Sequence, residues 1–377
     1  MPIELYIFAL IIIAYGSLIT IAIFGFSRLD RTFKVNNIEK SSDFISIVIS
    51  ARNEADQIQQ CIQQIDKQEF PKQDFEVIIV DDASDDQTFE IAQQTLEQLN
   101  ISFKLIRQVA HQGKKQNLAL AIAQAKGSVI ITSDADVVYR HPKWLFTISN
   151  YFNSFSPNML VMPIDYKTQP GLLPTFQIFE NIALTGITSG YTGIQNPFIC
   201  NGANLAFKKS AFEFVSGYHT HLNLSSGEDV FLMESIKKID RSLIHYVLSR
   251  ELIVETIPIK NFKVFVNQRI RWASKTKHNA NPLNAFVGFI ILTTNLLIPV
   301  LVVESIKQSL TTSYLAIFVF TKLIFDFLLL LLAADYLGKR KYMWYFFVFQ
   351  SVYWIYALII GFGSLFIKPY WKGKKIN

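Results

Sequence analysis

Two cysteines in 377 residues, Cys61 and Cys200, are too few and too scattered for a disulfide framework or a zinc site, which fits a reducing cytoplasm. The six histidines, His111, His141, His219, His221, His245 and His278, show no metal-ligand spacing. No internal repeat and no low-complexity segment is present. No stretch interleaves basic and aromatic residues as a nucleic-acid recognition module does, so nucleic acid is not the expected partner. A cleavable secretion signal is not expected either. No positive charge precedes the apolar run at residues 5–26, the run is too long, and no small-residue cleavage site follows it.

What is present in excess is apolar residue: half of the chain is hydrophobic and 32 residues are Phe. The excess sits at the ends, in residues 5–26 and, after Pro282, in residues 285–303, 314–332 and 345–367. Each run approaches the roughly 20 apolar residues that a helix needs to cross a hydrocarbon core. The first is expected to be a retained anchor. Arg28, Arg31, Lys34 and Lys40 follow it, so the positive-inside rule puts the central region and the loop Gly338 to Lys341 in the cytoplasm. The tail breaks this pattern: if all three later runs span, Lys368, Lys372, Lys374 and Lys375 fall outside. Either one run lies in the interface or re-enters, or the tail is an exception. The net charge of +6 is attributed to these lysines and arginines beside anionic lipid.

Between residues 43 and 260 short β-rich runs alternate with helical patterns, which predicts an α/β domain on a mostly parallel sheet. Strands are expected at 44–50, 75–80, 103–108, 129–132 and 159–162, with helices at 55–67, 87–99 and 115–125. Ligands of such sheets bind beyond the carboxyl ends of the strands. Chemistry-bearing residues collect there: Ala51-Arg52-Asn53-Glu54, Asp81-Asp82 and Asp134-Ala135-Asp136. Residues 261–277, with Phe262, Val264, Phe265, Ile270 and Trp272 among lysines and arginines, read as a basic amphipathic helix on a membrane surface.

Each cluster has two readings. Asp134 and Asp136, one residue apart after a buried strand, can share magnesium or manganese, with phosphate oxygens and water filling the other positions; the alternative is a solvated turn. Ser84, Asp85 or Asp86 can cap the helix that begins near Gln87, while Asp81 and Asp82 leave the strand pointing into the crevice. Glu228-Asp229 can simply favour the start of a helix, or can supply a general base. Gln268 and Arg271 lie three apart on one helix face beside Trp272. There Arg can fork onto a diphosphate and Trp can stack on a sugar, unless both merely snorkel into headgroups. Lys114, after Gly113, is either a phosphate contact or a solvated surface lysine.

The ordered set Ala51-Arg52-Asn53-Glu54, Asp81 to Thr88, Gly113-Lys114, Asp134-Ala135-Asp136, Gly202 to Lys209, Gly227-Glu228-Asp229 and Gln268-x-x-Arg271-Trp272 resembles the family 2 glycosyltransferases. The likeness covers roughly residues 44–275. It is similar in particular to the membrane-embedded branch, which includes cellulose, chitin and hyaluronan synthases and ceramide glucosyltransferases. The resemblance implies a GT-A fold, a nucleotide-sugar donor, a divalent metal, and inversion at the anomeric carbon. By position it implies nucleoside contacts from Ala51, Glu54 and Asp82; Arg52, Asp81, Lys114, Gly202 and Asn204, in the same motifs, are further expected substrate-binding residues. It further implies a nucleotide-side and metal role for Asp134, metal ligation by Asp136, and a base at Asp229 beside Glu228. Gln268, Arg271 and Trp272 match the motif that holds the diphosphate and shapes the acceptor end.

These readings give an anchor (1–27), a cytosolic GT-A domain (28–260), an interfacial helix (261–281) and a carboxy-terminal transmembrane region (282–377). The expected protein is a multi-pass enzyme of the cell (inner) membrane that passes a sugar, most simply from a UDP-sugar, to a lipid or lipid-linked glycan. Processive polymer synthesis ranks lower, because the chain is short and the later runs hold few charges: Glu304, Lys307, Lys322, Asp326 and Asp335. A catalytically silent partner protein ranks below that, since no motif carboxylate is replaced. A transporter ranks lowest, on the expectation that the spans carry no paired charges.

Overall fold

The computed structural model describes residues 3–29, 43–218, 227–274, 282–307, 309–368, 370–371 and 374–375. Arg31, Lys34, Lys40, His219, His221, residues 275–277, His278 and Lys372, which the sequence reading used, lie outside them. Helix α1 is Ile3–Arg28. There follow β1 (Ile45–Ala51), α2 (Ile58–Asp66), β2 (Phe75–Asp81), α3 (Thr88–Glu97), β3 (Ser102–Arg107), α4 (Lys114–Gln124) and β4 (Val129–Ser133). The next stretch holds β5 (Val138–Tyr139), α5 (Trp144–Phe155), β6 (Met159–Val161), β7 (Ile164–Tyr166), α6 (Leu172–Gly193), β8 (Asn204–Lys208) and α7 (Lys209–Phe214). The last holds α8 (Glu228–Ile239), β9 (Ile244–Tyr246), β10 (Val254–Thr256), α9 (Phe262–Ser274), α10 (Pro282–Lys307), α11 (Ser309–Leu337) and α12 (Phe346–Phe366).

The chain divides into two compact units. One, residues 29–167 and 195–257, is an α/β domain on a seven-stranded sheet of order β3-β2-β1-β4-β8-β6-β9. Strands β1 to β4 are mutually parallel, and only β8 runs against its neighbours β4 and β6. This is the Rossmann-like, mostly parallel sheet that the alternating pattern predicts. β2 reads Phe-Glu-Val-Ile-Ile-Val-Asp and is buried at every position, as a central strand covered on both faces must be. β3 forms one edge and exposes Ser102, Phe103 and Arg107. Because β1 pairs with β2 on one side and β4 on the other, the connection order reverses between β1 and β4. That switch point opens the crevice where such sheets bind ligands. A small sheet, β5-β10-β7, lies after β4 in the chain and carries the residues that brace it.

The other unit gathers residues 1–28, 168–194 and 258–377. Four of its helical segments are long and apolar enough to cross a membrane: Tyr6–Arg28, Leu283–Ile306, Thr312–Leu337 and Arg340–Phe366. α1 and α6 cross so closely that a Cβ added to Gly190 would lie 2.2 Å from the carbonyl oxygen of Ala22, and one on Gly25 would lie 1.8 Å from that of Gly190. Small residues allow this backbone approach, as in other apolar helix pairs. α12 lies alongside α6 and α9. Its Phe349 packs on Phe176 and Phe179, its Tyr356 on Phe265, and its Gly363 against Ile270. The chain beyond it returns to α9, where the Asn267 amide accepts from Tyr370 N–H at 3.0 Å and donates to Tyr370 C=O at 2.5 Å.

One expectation is corrected in this unit. The apolar helices do hold a paired charge: Lys322 donates to Asp326 at 2.5 Å and to Gln350 at 3.2 Å, and Tyr15 of α1 donates to the same carboxylate. An i, i+4 spacing puts Lys322 and Asp326 on one face of α11, where burial leaves each with the other as counter-ion. Each member holds a hydrogen bond to at least one other, so the cluster reads as a lock between α1, α11 and α12.

Candidate functional site

At the carboxyl ends of β1 and β2 two loops are laced together. Asn53, at a φ of 54°, receives the Asp85 N–H on its side-chain oxygen at 2.9 Å and donates its own N–H to Ser84 Oγ at 3.0 Å. The Glu54 N–H donates to Thr88 Oγ1 at 2.8 Å, and Asp86 accepts from the N–H groups of Thr88 and Ala55 at 3.0 and 3.2 Å. Asp86 therefore satisfies the N–H of Thr88, the first residue of α3, although the N-cap position itself is Gln87. Ala51 ends β1 opposite Asp81 in register, and Arg52 lies 3.7 Å from Asp85.

Asp81 and Asp82 are both buried and turn inward to the protein. Asp81 accepts from the Ser84 hydroxyl and, at 3.3 Å, from its N–H. Asp82 accepts from the N–H groups of Gln112 (2.7 Å) and Gly113 (3.1 Å) and meets His111 Nδ1 at 2.6 Å. Burial alone would raise the Asp82 carboxyl, but hydrogen bonds from Asn117, Gln112 and Gly113 and the neighbouring His111 hold it below its ordinary range. His111, left unassigned on spacing, is thus a partner of Asp82. Its proximity to Gly113-Lys114 in sequence was the only signal available.

Asp82 fixes the loop that launches α4. Gly113 caps that helix at a φ of 95°, in the region glycine tolerates, and Lys114 is the first helical residue. The Lys114 ammonium donates to Asp134 after β4 and lies 3.8 Å from Glu228 at the start of α8. Lys114 is therefore neither solvated nor free: it joins two acidic motifs 94 residues apart in sequence. Burial would lower its pKa, but the attraction of Asp134 and Glu228 prevails and raises it.

Asp136, two residues on from Asp134, is mostly buried and accepts from Thr256 Oγ1 of β10 at 3.2 Å. Burial, and then the charge of Asp134, push its carboxyl above the ordinary range. Thr256 is a site neighbour that sequence spacing gave no reason to name. Among the described residues no group of three or more His, Cys, Asp or Glu side chains converges as a complete cation cage. Asp134 and Asp136 fit the alternative, in which magnesium or manganese is held by one or two carboxylates and completed by substrate phosphate oxygens and water.

Asp229, in the first turn of α8, accepts the Gly202 N–H at 3.0 Å on one oxygen and the Val230 N–H at 2.9 Å on the other. Gly202 thereby orients the candidate base. Asn204 stands apart from the remaining candidates. It is fully buried, donates to the carbonyls of Pro163 (2.7 Å) and Leu252 (2.9 Å), and accepts from Trp144 Nε1 at 3.2 Å. Its amide is committed to bracing β8 and not to a ligand. Gln268, Arg271 and Trp272 lie on α9, in the helical unit, each partly buried.

Residues 46–215 match the family model described as Glycosyl transferase family 2. A 102-residue stretch is 32% identical to glycosyltransferase AglE of Haloferax volcanii, covering 27% of this chain and 33% of that protein. The poly-beta-1,6-N-acetyl-D-glucosamine synthase of Staphylococcus epidermidis is 24% identical over 249 residues, 65% of this chain and 57% of that one. The chain thus spans between a third and a little over half the length of these two curated relatives. In fold it is similar to the mannosyltransferase PcManGT of Pyrobaculum calidifontis, solved in complex with GDP-Man and Mn2+. The TM-score is 0.60 at 16% identity, covering 96% of this chain and 99% of the other.

Proposed function

Since residues 46–215 match the model of glycosyl transferase family 2, we propose that the chain transfers a sugar, with inversion, from a nucleotide diphosphate sugar to a lipid or lipid-linked glycan at a membrane surface. The observation that carries this reading is the convergence on Lys114 of Asp134 and Glu228, with Asp229 the next residue. An ammonium between two carboxylates marks a place where positive charge and anionic oxygens meet, at the ends of the strands that border the crevice.

Asp229 is assigned the base. It takes the proton of an acceptor hydroxyl, whose oxygen attacks the anomeric carbon while the bond to the diphosphate oxygen breaks and its electron pair leaves with the diphosphate. Hydrogen bonds from Gly202 and Val230 hold the carboxylate in place through that step. Lys114, placed at the start of α4 by the loop that Asp82 fixes, supplies positive charge for the diphosphate. The loops at Ala51, Arg52 and Glu54 frame the nucleoside side, with Asp81 shaping them from behind. Asp134 and Asp136 would hold magnesium or manganese, which when bound supplies Lewis-acid stabilisation of the leaving diphosphate. Gln268, Arg271 and Trp272 keep the diphosphate and acceptor roles that the resemblance gives them.

The four apolar helices support a membrane location; the basic residues that follow the first of them, beginning with Arg28, favour a cytoplasmic α/β domain. The return of Tyr370 to α9 supports an interfacial α12, which would keep Lys368, Lys374 and Lys375 on the side of Lys339 and Lys341. Likeness to a polysaccharide synthase over 65% of the chain favours a second reading, processive addition to a glycan.

The test uses purified protein in lipid nanodiscs, manganese, and radiolabelled UDP- and GDP-sugars including UDP-N-acetylglucosamine and GDP-mannose, with a membrane lipid extract as acceptor. One organic-extractable product supports the first reading and a ladder the second. Neither product nor manganese-dependent donor binding would reject both.

A further inference from the structure

The residue between the motif positions, Arg269, is more deeply buried than the motif residues themselves, at 3% exposure. Its guanidinium forks onto Glu180 of α6, with Nε 3.0 and 2.8 Å from the two carboxylate oxygens and a terminal nitrogen at 2.5 Å. The other terminal nitrogen donates to Gln268 Oε1. Tyr356 of α12 donates its hydroxyl to the same Glu180 carboxylate. The guanidinium carbon also lies 4.5 Å from the Phe265 ring and 4.3 Å from the Trp272 ring, one turn before and one turn after it on α9.

We propose that Arg269, clamped by Glu180 and Tyr356, is a positioning residue that fixes the rotation of α9 and so the orientations of Gln268 and Trp272. One buried cation touches two of the three motif side chains and ties them to two further helices. A buried ion pair is a weak source of stability, since apolar side chains of similar volume often serve as well or better. Its particular contribution is direction: a planar fork accepts a carboxylate in one geometry and stacks on rings, which lysine cannot reproduce. The consequence for turnover rests on the transferase reading; the claim about orientation does not.

The test compares the full chain in nanodiscs with Arg269→Lys and with the milder Tyr356→Phe, which keeps the ring and removes one hydrogen bond. The protein, which has five tryptophans, is labelled with 5-fluorotryptophan, and the Trp272 fluorine resonance is identified by its loss in Trp272→Phe. Expected in Arg269→Lys is a shift of that resonance alone and a thermal midpoint near that of the parent. Turnover should fall about 10- to 100-fold, as displaced reacting groups commonly cause, while donor Kd stays within about threefold, with smaller changes of the same kind in Tyr356→Phe. An unmoved Trp272 resonance overturns the proposal, as does a shift with full turnover. So does movement of all five resonances with a lowered midpoint, which marks a merely structural role. If the parent itself transfers no sugar, the proposed function fails, and the resonance still decides the orientation claim.

Discussion

Replacing Asp229 by Asn removes a charge and one hydrogen-bond acceptor while keeping the shape, so its consequences separate cleanly. The carboxylate accepts two backbone N–H groups, from Gly202 and Val230. An amide has one acceptor oxygen, so one of those N–H groups must face its NH2, a loss of about 1 to 3 kcal/mol for a buried donor. Removing negative charge from the first turn of α8 forfeits about 0.3 to 1 kcal/mol more. For a domain of this size, at about 2 to 4 °C per kcal/mol, the thermal midpoint should fall by roughly 3 to 15 °C. The protein stays folded at assay temperature. Transfer, by contrast, should fall about 10²- to 10⁴-fold, the usual contribution of a general base, equivalent to roughly 3 to 5 kcal/mol of barrier. Initial rates of nucleotide diphosphate release, normalised to folded fraction, give the loss of transfer; titration calorimetry gives the donor affinity, expected to be nearly unchanged. Turnover within tenfold of the parent would refute the assignment of Asp229, and donor affinity falling in step with rate would show that it binds donor instead.

Asp136→Ala should abolish the manganese-dependent part of nucleotide binding, as chelator does in the parent; calorimetry with and without EDTA reads both, and unchanged metal dependence removes Asp136 from that role. Gly190→Leu should separate α1 from α6 and lower the detergent melting temperature, an overpacking loss of about 1 to 3 kcal/mol or more. Gly288→Ala, with nothing within 4 Å of its added Cβ, should leave it unchanged or raised. Because the folded-state pKa of Asp82 is depressed, its stabilisation is present above the unfolded value of about 3.9 and lost as pH falls through the folded one. The midpoint gap between parent and Asp82→Asn should therefore be wide at neutral pH and close progressively below about pH 4; a gap independent of pH would contradict the hydrogen-bonded anion.

Much of the site was legible because its residues sit at strand ends. A buried run such as Val129 to Ser133 announces a central strand that ends beside the crevice, so Asp134 and Asp136 could be proposed from the text alone; Asp81 and Asp82, at the end of β2, turn inward to the protein instead. Asn204 shows the limit of that approach. Its place in a motif suggested a ligand contact, but whether a side chain faces a crevice or the carbonyls of Pro163 and Leu252 depends on strands drawn from elsewhere in the chain. Spacing gave no sign of β7, β8 or β10, each five residues or fewer, and the Thr256 contact to Asp136 went unseen with them.

By itself, the order of residues determined the α/β alternation, the four apolar helices and the helix around Gln268, since periodicity and run length are local properties that burial acts on directly. Only the tertiary structure decided that α6, which lies in sequence between two segments of the sheet domain, belongs to the unit of the apolar helices. It alone joined Lys114 to Asp134 and Glu228, and Arg269 to the Glu180 carboxylate that Tyr356 also holds. Those charged partners lie 20 to 114 residues away along the chain, and opposite charges find one another at such separations only after the backbone has fixed where each stands.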